Sequence, residues 1–167
     1  MLKDFFVKIS SNRGLKKTRP ASKGYLAANF VGIIINTDDR LPNRLSEFVS
    51  RMEQDQKLIH IIGITSRGKV DQPAINPLIT KNDVSLLGEI KSEAGLSFIS
   101  QPFDLVIILD RQGHPMVKLI ASKCHPSHFV GFHVPNSDWL NMRVKPKSET
   151  ELEDLYKYLK LISSDNE

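Results

Sequence analysis

The chain has 167 residues, of which 40% are hydrophobic and 25% charged, an ordinary soluble composition that excludes a wholly disordered protein. No apolar run approaches the roughly 18 residues a membrane span needs, and the one cysteine, Cys124, has no partner for an internal disulfide, which excludes a stapled secreted scaffold and points to a reducing, cytoplasmic setting. The net charge of +4 is uneven: residues 1–24 carry Lys3, Lys8, Arg13, Lys16, Lys17, Arg19 and Lys23 against Asp4, a balance of +6, leaving −2 for residues 25–167.

That division gives the expected organisation, a basic N-terminal helix and arm over 1–24 and a single α/β domain over 25–167. A uniformly basic nucleic-acid-binding surface is not indicated. In the arm, Leu2, Phe5, Phe6 and Ile9 have helical spacing. Arg13–Gly14, Arg19–Pro20 and Lys23–Gly24 interrupt any longer helix. Phe5–Phe6–Val7 is too short for a secretory signal core. Three readings stay open: a docking helix with a solvated linker, an organellar transit peptide, or an anion-binding segment in which Lys16, Lys17 and Arg19 meet a membrane or nucleic acid.

Beyond the arm, Phe30–Asn36 (FVGIIIN) is a near-continuous β-branched run, the pattern of a strand buried on both faces. Leu41, Leu45, Phe48, Val49 and Met52 then follow a helical period, with Pro42 suited to a first turn. Lys57–Ile64 (KLIHIIGI) predicts a second buried strand, which places His60 as a core or edge histidine. Residues 65–82, rich in proline, glycine and polar side chains, read as a long loop, and a short strand is expected near Val84–Leu87, stopped by Gly88.

Asp104–Leu109 (DLVIIL) is the clearest strand, closed by Asp110. Gly113–His114–Pro115 opens a helix with Met116, Val117, Ile120, Ala121 and Cys124 on one face. His128–His133 (HFVGFH) predicts another strand, and Leu140–Val144 a last one. Ser148 and Glu151 form a capping box for a helix that turns Leu152, Leu155, Leu159 and Ile162 inward. Strands alternating with helices predict an α/β, three-layer αβα sandwich, with a Rossmann-like and mostly parallel sheet of about five or six strands.

Several residue groups are candidates for chemistry. Gly63-Ile-Thr-Ser-Arg-Gly68-Lys69 is a GxxxxGK after a strand, the pattern with which backbone N–H groups and a lysine cradle phosphates. Val70 stands where a magnesium-binding hydroxyl belongs, and Asp71, Pro73 and Pro77 oppose the helix that must follow. The loop therefore reads as a polar surface segment.

Asp38 and Asp39 at the end of the first strand, with Asp110 at the end of another, sit where open α/β sheets bind ligands. They read either as ligand or metal carboxylates or as helix caps and turn formers. Cys124, His125, His128 and His133 are close in sequence, but 128 and 133 fall on opposite faces of a strand, against a zinc site. No cofactor and no metal are expected, and no partner is indicated beyond weak anionic contact through residues 1–24.

Phe103–His133 (FDLVIILDRQGHPMVKLIASKCHPSHFVGFH) resembles the strand–helix–strand of a small bacterial family known only as a domain of unknown function. There an FDLLIN-like strand leads to a helix rich in Ala, Ser and Lys and then to a VGF-like strand. The likeness extends to the basic start, the FVGIIIN strand, Gly88 and the closing YKYL helix, and it implies no activity. The same segment is similar to the acceptor-side Rossmann-like half of heptosyltransferase-type glycosyltransferases, with their recurring "yDlvidl…riGf" unit. Those enzymes hold the sugar nucleotide mainly in a second domain, for which 167 residues leave no room, so this similarity implies a fold rather than an activity. The expected function is a non-catalytic binding or regulatory module. The alternatives are a nucleotide- or phosphate-handling enzyme using the sheet's carboxyl edge and peripheral anion binding through the arm.

Overall fold

Six parallel strands form one sheet in the order β3-β2-β1-β4-β5-β6 in the computed structural model, which describes residues 24–145 and 149–162. In chain order the elements are β1 (Phe30–Asn36), α1 (Leu45–Gln54), β2 (Leu58–Ile64), β3 (Leu78–Ile79), a 3-10 turn (Lys81–Asp83), α2 (Glu93–Ile99), β4 (Leu105–Leu109), α3 (Pro115–Lys123), β5 (His128–Phe132), β6 (Met142–Val144) and α4 (Glu151–Leu159).

The period-2 alternation of the strands divides the core between two helix layers. Val31, Ile33 and Ile35 of β1 and Leu105, Ile107 and Leu109 of β4 face α1 and α4, where Phe48, Met52, Leu155 and Leu159 meet them. Ile34 of β1 and Val106 and Ile108 of β4 face α2 and α3, against Phe98, Val117 and Ile120. Both faces of β1 and β4 are therefore covered, which is why these strands read as unbroken apolar runs. Each such isoleucine or valine contributes about 1.5–3 kcal/mol relative to exposure.

Several expectations need correction. The strand expected near Val84–Leu87 is absent: Val84 makes only an isolated antiparallel bridge with Ile90, around a turn in which Gly88 has φ 81°. The strand of this region is β3, inside the stretch read as loop, where Leu78 and Ile79 pair with Gly63 and Ile64. Because β3 is so short, it covers only the end of β2. Leu58 and His60 remain exposed, and β2 is buried only from Ile62 to Ile64. His60 accordingly is an edge histidine, its ring 5.1 Å from that of Phe30.

Helix α1 starts at Leu45, later than Leu41, because Arg44 takes a left-handed conformation at φ 59° and breaks the approach from Pro42. Helix α2 went unanticipated. It is opened by Ser92, whose hydroxyl accepts the Gly95 N–H, and it buries Phe98. The first residues of the chain, with Leu2, Phe5, Phe6, Ile9, Lys16, Lys17 and Arg19, and the Ser148 half of the expected capping box lie outside the described residues. At α4 the N-cap is Thr150, which makes no side-chain cap, and Glu151 has a different task, set out below. No helix among the described residues is long and apolar enough to cross a membrane.

Candidate functional site

From β1 the sheet grows through β2 to β3 on one side and through β4 to β5 and β6 on the other, so the order reverses between β1 and β4. Sheets of this kind leave a crevice at the carboxyl ends of those two strands. The residues that follow them are Asn36–Arg40 and Asp110–His114, so Asp38, Asp39 and Asp110 all lie at that edge.

Asp110 is 5% exposed and holds its own loop together. Its Oδ1 accepts Asn36 Nδ2 and the Gln112 N–H, both at 2.9 Å, and its Oδ2 accepts the His114 N–H at 2.6 Å. The loop can close so tightly because Gly113 adopts φ 71°, where a Cβ would be strained and would meet the Pro135 carbonyl at 3.1 Å. His114 then caps α3, its Nδ1 accepting the Met116 N–H at 3.1 Å. An accepting Nδ1 assigns the ring proton to Nε2, and Nε2 lies 3.3 Å from Asp38 Oδ2.

Asp38 is fixed from a third strand. Thr65 Oγ1 donates to its Oδ1 and the Ser66 N–H to its Oδ2 at 2.7 Å, while the Asp38 N–H donates to Asn36 Oδ1 at 3.0 Å. Burial opposes ionisation of this carboxyl, but the hydrogen bonds from Ser66 and Thr65 outweigh it and hold the Asp38 carboxyl below its ordinary range. Asn36, Asp38, Thr65, Asp110 and His114 thus make one network across the ends of β1, β2 and β4.

Asp39 turns the other way. Its Oδ1 accepts the Arg40 N–H at 2.7 Å and its Oδ2 lies 3.3 Å from Arg111. Arg111 also donates to the Arg40 carbonyl at 2.6 Å and, in a two-pronged pair, to Glu151 of α4, which is 1% exposed. Its guanidinium also lies 5.7 Å from the Phe132 ring centroid. Desolvation weakens the charged guanidinium, yet Glu151 and Asp39 outweigh that and raise the Arg111 pKa. The pair ties α4 to the sheet edge.

The three predicted acids thus share an edge but not a centre: Asp38 and Asp110 join one network and Asp39 another. Among the described residues no three His, Cys, Asp or Glu side chains come together as a metal site. Cys124 is buried, its thiol pushed up to about 12 by desolvation, with Sγ 3.5 Å from the Ile120 carbonyl. Gly63 lies within β2, where a Cβ would meet Leu78 at 2.9 Å. Its bareness therefore makes room for the side chains of Leu78, Ile75 and Thr37. The Gly68 carbonyl accepts Asn82 Nδ2 at 2.7 Å, and the exposed Lys69 pairs with Asp71 at 3.4 Å. The stretch after Lys69 forms no helix.

Beside the acidic network opens a cleft of about 340 Å³, at the carboxyl ends of β4 and β5 and against the start of α3. Ile108, Phe132, Trp139 and Leu140 give it apolar walls, and Asp110 and Lys118 supply charge. Trp139, the one tryptophan of the chain, meets Phe129 edge-on at 5.4 Å. Its loop is closed by Ser137, whose hydroxyl accepts the Val134 N–H at 3.1 Å and donates to the Val134 carbonyl at 2.7 Å. Sequence reasoning missed this wall, together with Arg111, Glu151, Thr65 and His114. The legible signals were His114 directly before Pro115, an N-cap position, and Trp139 in an otherwise polar loop.

A search of the curated proteins and a search of the solved structures each find no match. A family model matches residues 3–162, nearly the whole sequence. The chain, with its parallel sheet and its tied carboxyl edge, therefore belongs to the family of unknown function DUF6913.

Proposed function

We propose that this chain is a non-catalytic binding module whose ligand occupies the cleft between the β4–α3 turn and the loop of Trp139. The observation that carries the reading is the contrast between the edge's acids and the cleft beside them. Every oxygen of Asp38 and Asp110 accepts at least one hydrogen bond from the protein, so these carboxylates serve as scaffolding. A volume of about 340 Å³ with apolar walls and few polar groups is the ordinary form of a small-molecule site. The cleft lies at the carboxyl edge of the sheet, one strand away from the β1–β4 crevice.

The nucleotide reading finds less support. A pyrophosphate needs close backbone approach at a glycine-rich first turn, and here that turn is Thr37–Asp38–Asp39–Arg40, with two carboxylates. The buried free thiol of Cys124 fits a reducing compartment such as the cytoplasm.

The test is a small-molecule screen read by thermal stability, since a ligand that binds only the folded chain raises the midpoint. Hits are repeated with Lys118→Trp, which adds bulk inside the cleft. Stabilisation of the parent that is lost in the variant supports the reading. Equal stabilisation of both, or turnover abolished by Asp38→Asn, overturns it.

A further inference from the structure

We infer that the free flank of β2 pairs, antiparallel and about a two-fold axis, with β2 of a second copy of this chain, independently of the cleft. The Leu58 N–H donates to the Asn29 carbonyl on the β1 side, whereas the Gly63 N–H donates to the Pro77 carbonyl on the β3 side. Backbone groups alternate in direction along a strand, so those of Ile59 and Ile61 point the same way as those of Gly63, away from β1. β3 reaches only Gly63 and Ile64. Residue 77, which would supply the next N–H to the Ile61 carbonyl, is a proline and has none. Among the described residues nothing takes up the outward groups of Ile59 and Ile61. Leu58, 59% exposed, shows that no helix overhangs this edge.

An identical strand is the occupant that this edge fits. Natural edges are guarded by charges, lysine above all, but Leu58–Ile64 (LIHIIGI) carries no Asp, Glu, Lys or Arg. The neighbouring Lys57, 8% exposed, turns inward, its Nζ donating to the Ala28 carbonyl at 2.6 Å and the Leu26 carbonyl at 3.2 Å. The strand therefore meets its own copy without repulsion. Obstruction sets the register. β3 occupies the flank from Gly63 onward, and Gln56, at φ 63°, turns the chain away towards α1. The free edge is thus residues 57–61, centred on Ile59. A two-fold axis there sets Ile59 opposite Ile59 of the second copy as a hydrogen-bonded pair. Leu58 then stands opposite His60 of the second copy, with about 4.5 Å between Cα atoms. The exposed Leu58 covers the exposed His60 ring on one face, and the two Ile59 side chains meet on the other. Five residues a side bury less than the roughly 1,200 Å² of a stable complex, so the pairing is weak, with a Kd on the order of 100 μM.

The experiment is sedimentation velocity of the full chain from about 10 μM to about 1 mM, with amide hydrogen exchange at both ends of that range. The mass of the particle is expected to rise towards that of two chains, and the Ile59 and Ile61 amides to gain protection as it does. Leu58→Lys, which places a guarding charge at an exposed position, should weaken the pairing by about tenfold or more and leave the circular dichroism unchanged. Register is read by mixing Leu58→Cys with His60→Cys under mild oxidation, the native Cys124 being buried. Positions 58 and 60 of opposite copies lie within disulfide reach, whereas 58 with 58 and 60 with 60 are diagonal, roughly 7–8 Å apart. The mixed disulfide should therefore dominate over either like pair. A particle that stays single at the highest concentration, or equal formation of all three disulfides, overturns the proposal. Protection of the Ile59 and Ile61 amides at every concentration overturns it too, since another stretch of this chain would then cover the edge.

Discussion

Replacing Arg111 with methionine removes a guanidinium but keeps an apolar stem over Phe132. Glu151, 1% exposed, then holds a buried charge without its two-pronged partner. Breaking one side of a buried pair in this way costs about 3–5 kcal/mol. Arg111 also loses its 2.6 Å bond to the Arg40 carbonyl and its contact with Asp39, so a loss of about 4 kcal/mol is expected for Arg111→Met. That is a large part of the roughly 5–15 kcal/mol that stabilises a typical protein. Glu151→Gln keeps shape and an acceptor and should cost less, about 1–3 kcal/mol. The double variant leaves no stranded charge. Its cost should fall short of the sum of the singles by about 2 kcal/mol. Urea unfolding of the four proteins, compared at constant slope, measures this cycle. A single-variant loss under about 1 kcal/mol with additive singles would mean that the pair is not what fastens α4 to the sheet edge.

Four further variants have outcomes set by the same structure. Ile108→Asp, at 3% exposure, puts an unpaired charge between β4 and α3 and should unfold the protein. Leu58→Asp on the open edge, at 59% exposure, should change stability by no more than about 0.5 kcal/mol, and circular dichroism separates the two. The Asp38 carboxyl, held below its ordinary range in the folded chain, binds its proton less readily there than when unfolded. Its contribution to stability is therefore complete above the unfolded carboxylate pKa near 4 and is lost as pH falls through the folded value. Asp38→Asn should flatten the acid limb of the stability curve, and an unchanged limb would contradict the network drawn for this residue. Lys69→Ala should leave the thermal midpoint unchanged with or without ATP and Mg²⁺. A nucleotide-dependent rise in the parent that disappears in the variant would restore the phosphate loop as a site.

The layers of the fold were legible because their signals are local and periodic. FVGIIIN and DLVIIL could hardly be anything but doubly covered strands, and the helix periods at Phe48–Met52 and Leu152–Leu159 each left one apolar face to be buried. What escaped were elements defined by partners distant in the chain. Leu78–Ile79 is a strand through its pairing with Gly63 and Ile64, fifteen positions back in the chain. No alternation in so short a run could have announced it. The start of α1 was misplaced because Arg44, not a glycine, takes the left-handed turn. At the site, the sequence placed Asp38, Asp39 and Asp110 at the carboxyl edge but gave no sign of their loyalties, since Thr65 reaches Asp38 across 27 positions of chain, Arg111 reaches Asp39 across 72, and His114 comes to Asp38 from the turn after β4. Glu151 illustrates the difficulty. It reads as half of a capping box, and only the packing of α4 beside Arg111 reveals a buried ion partner.

If the edge acids are scaffold and the cleft beside Trp139 receives the ligand, the first confirmed small-molecule ligand displaces a compact set of amide resonances at Gly113, His114, Ser137, Trp139 and Leu140, with the Trp139 indole N–H among the largest shifts. Displacements centred instead on Asp38–Arg40 and Ser66–Lys69, with the Trp139 loop unmoved, would contradict it.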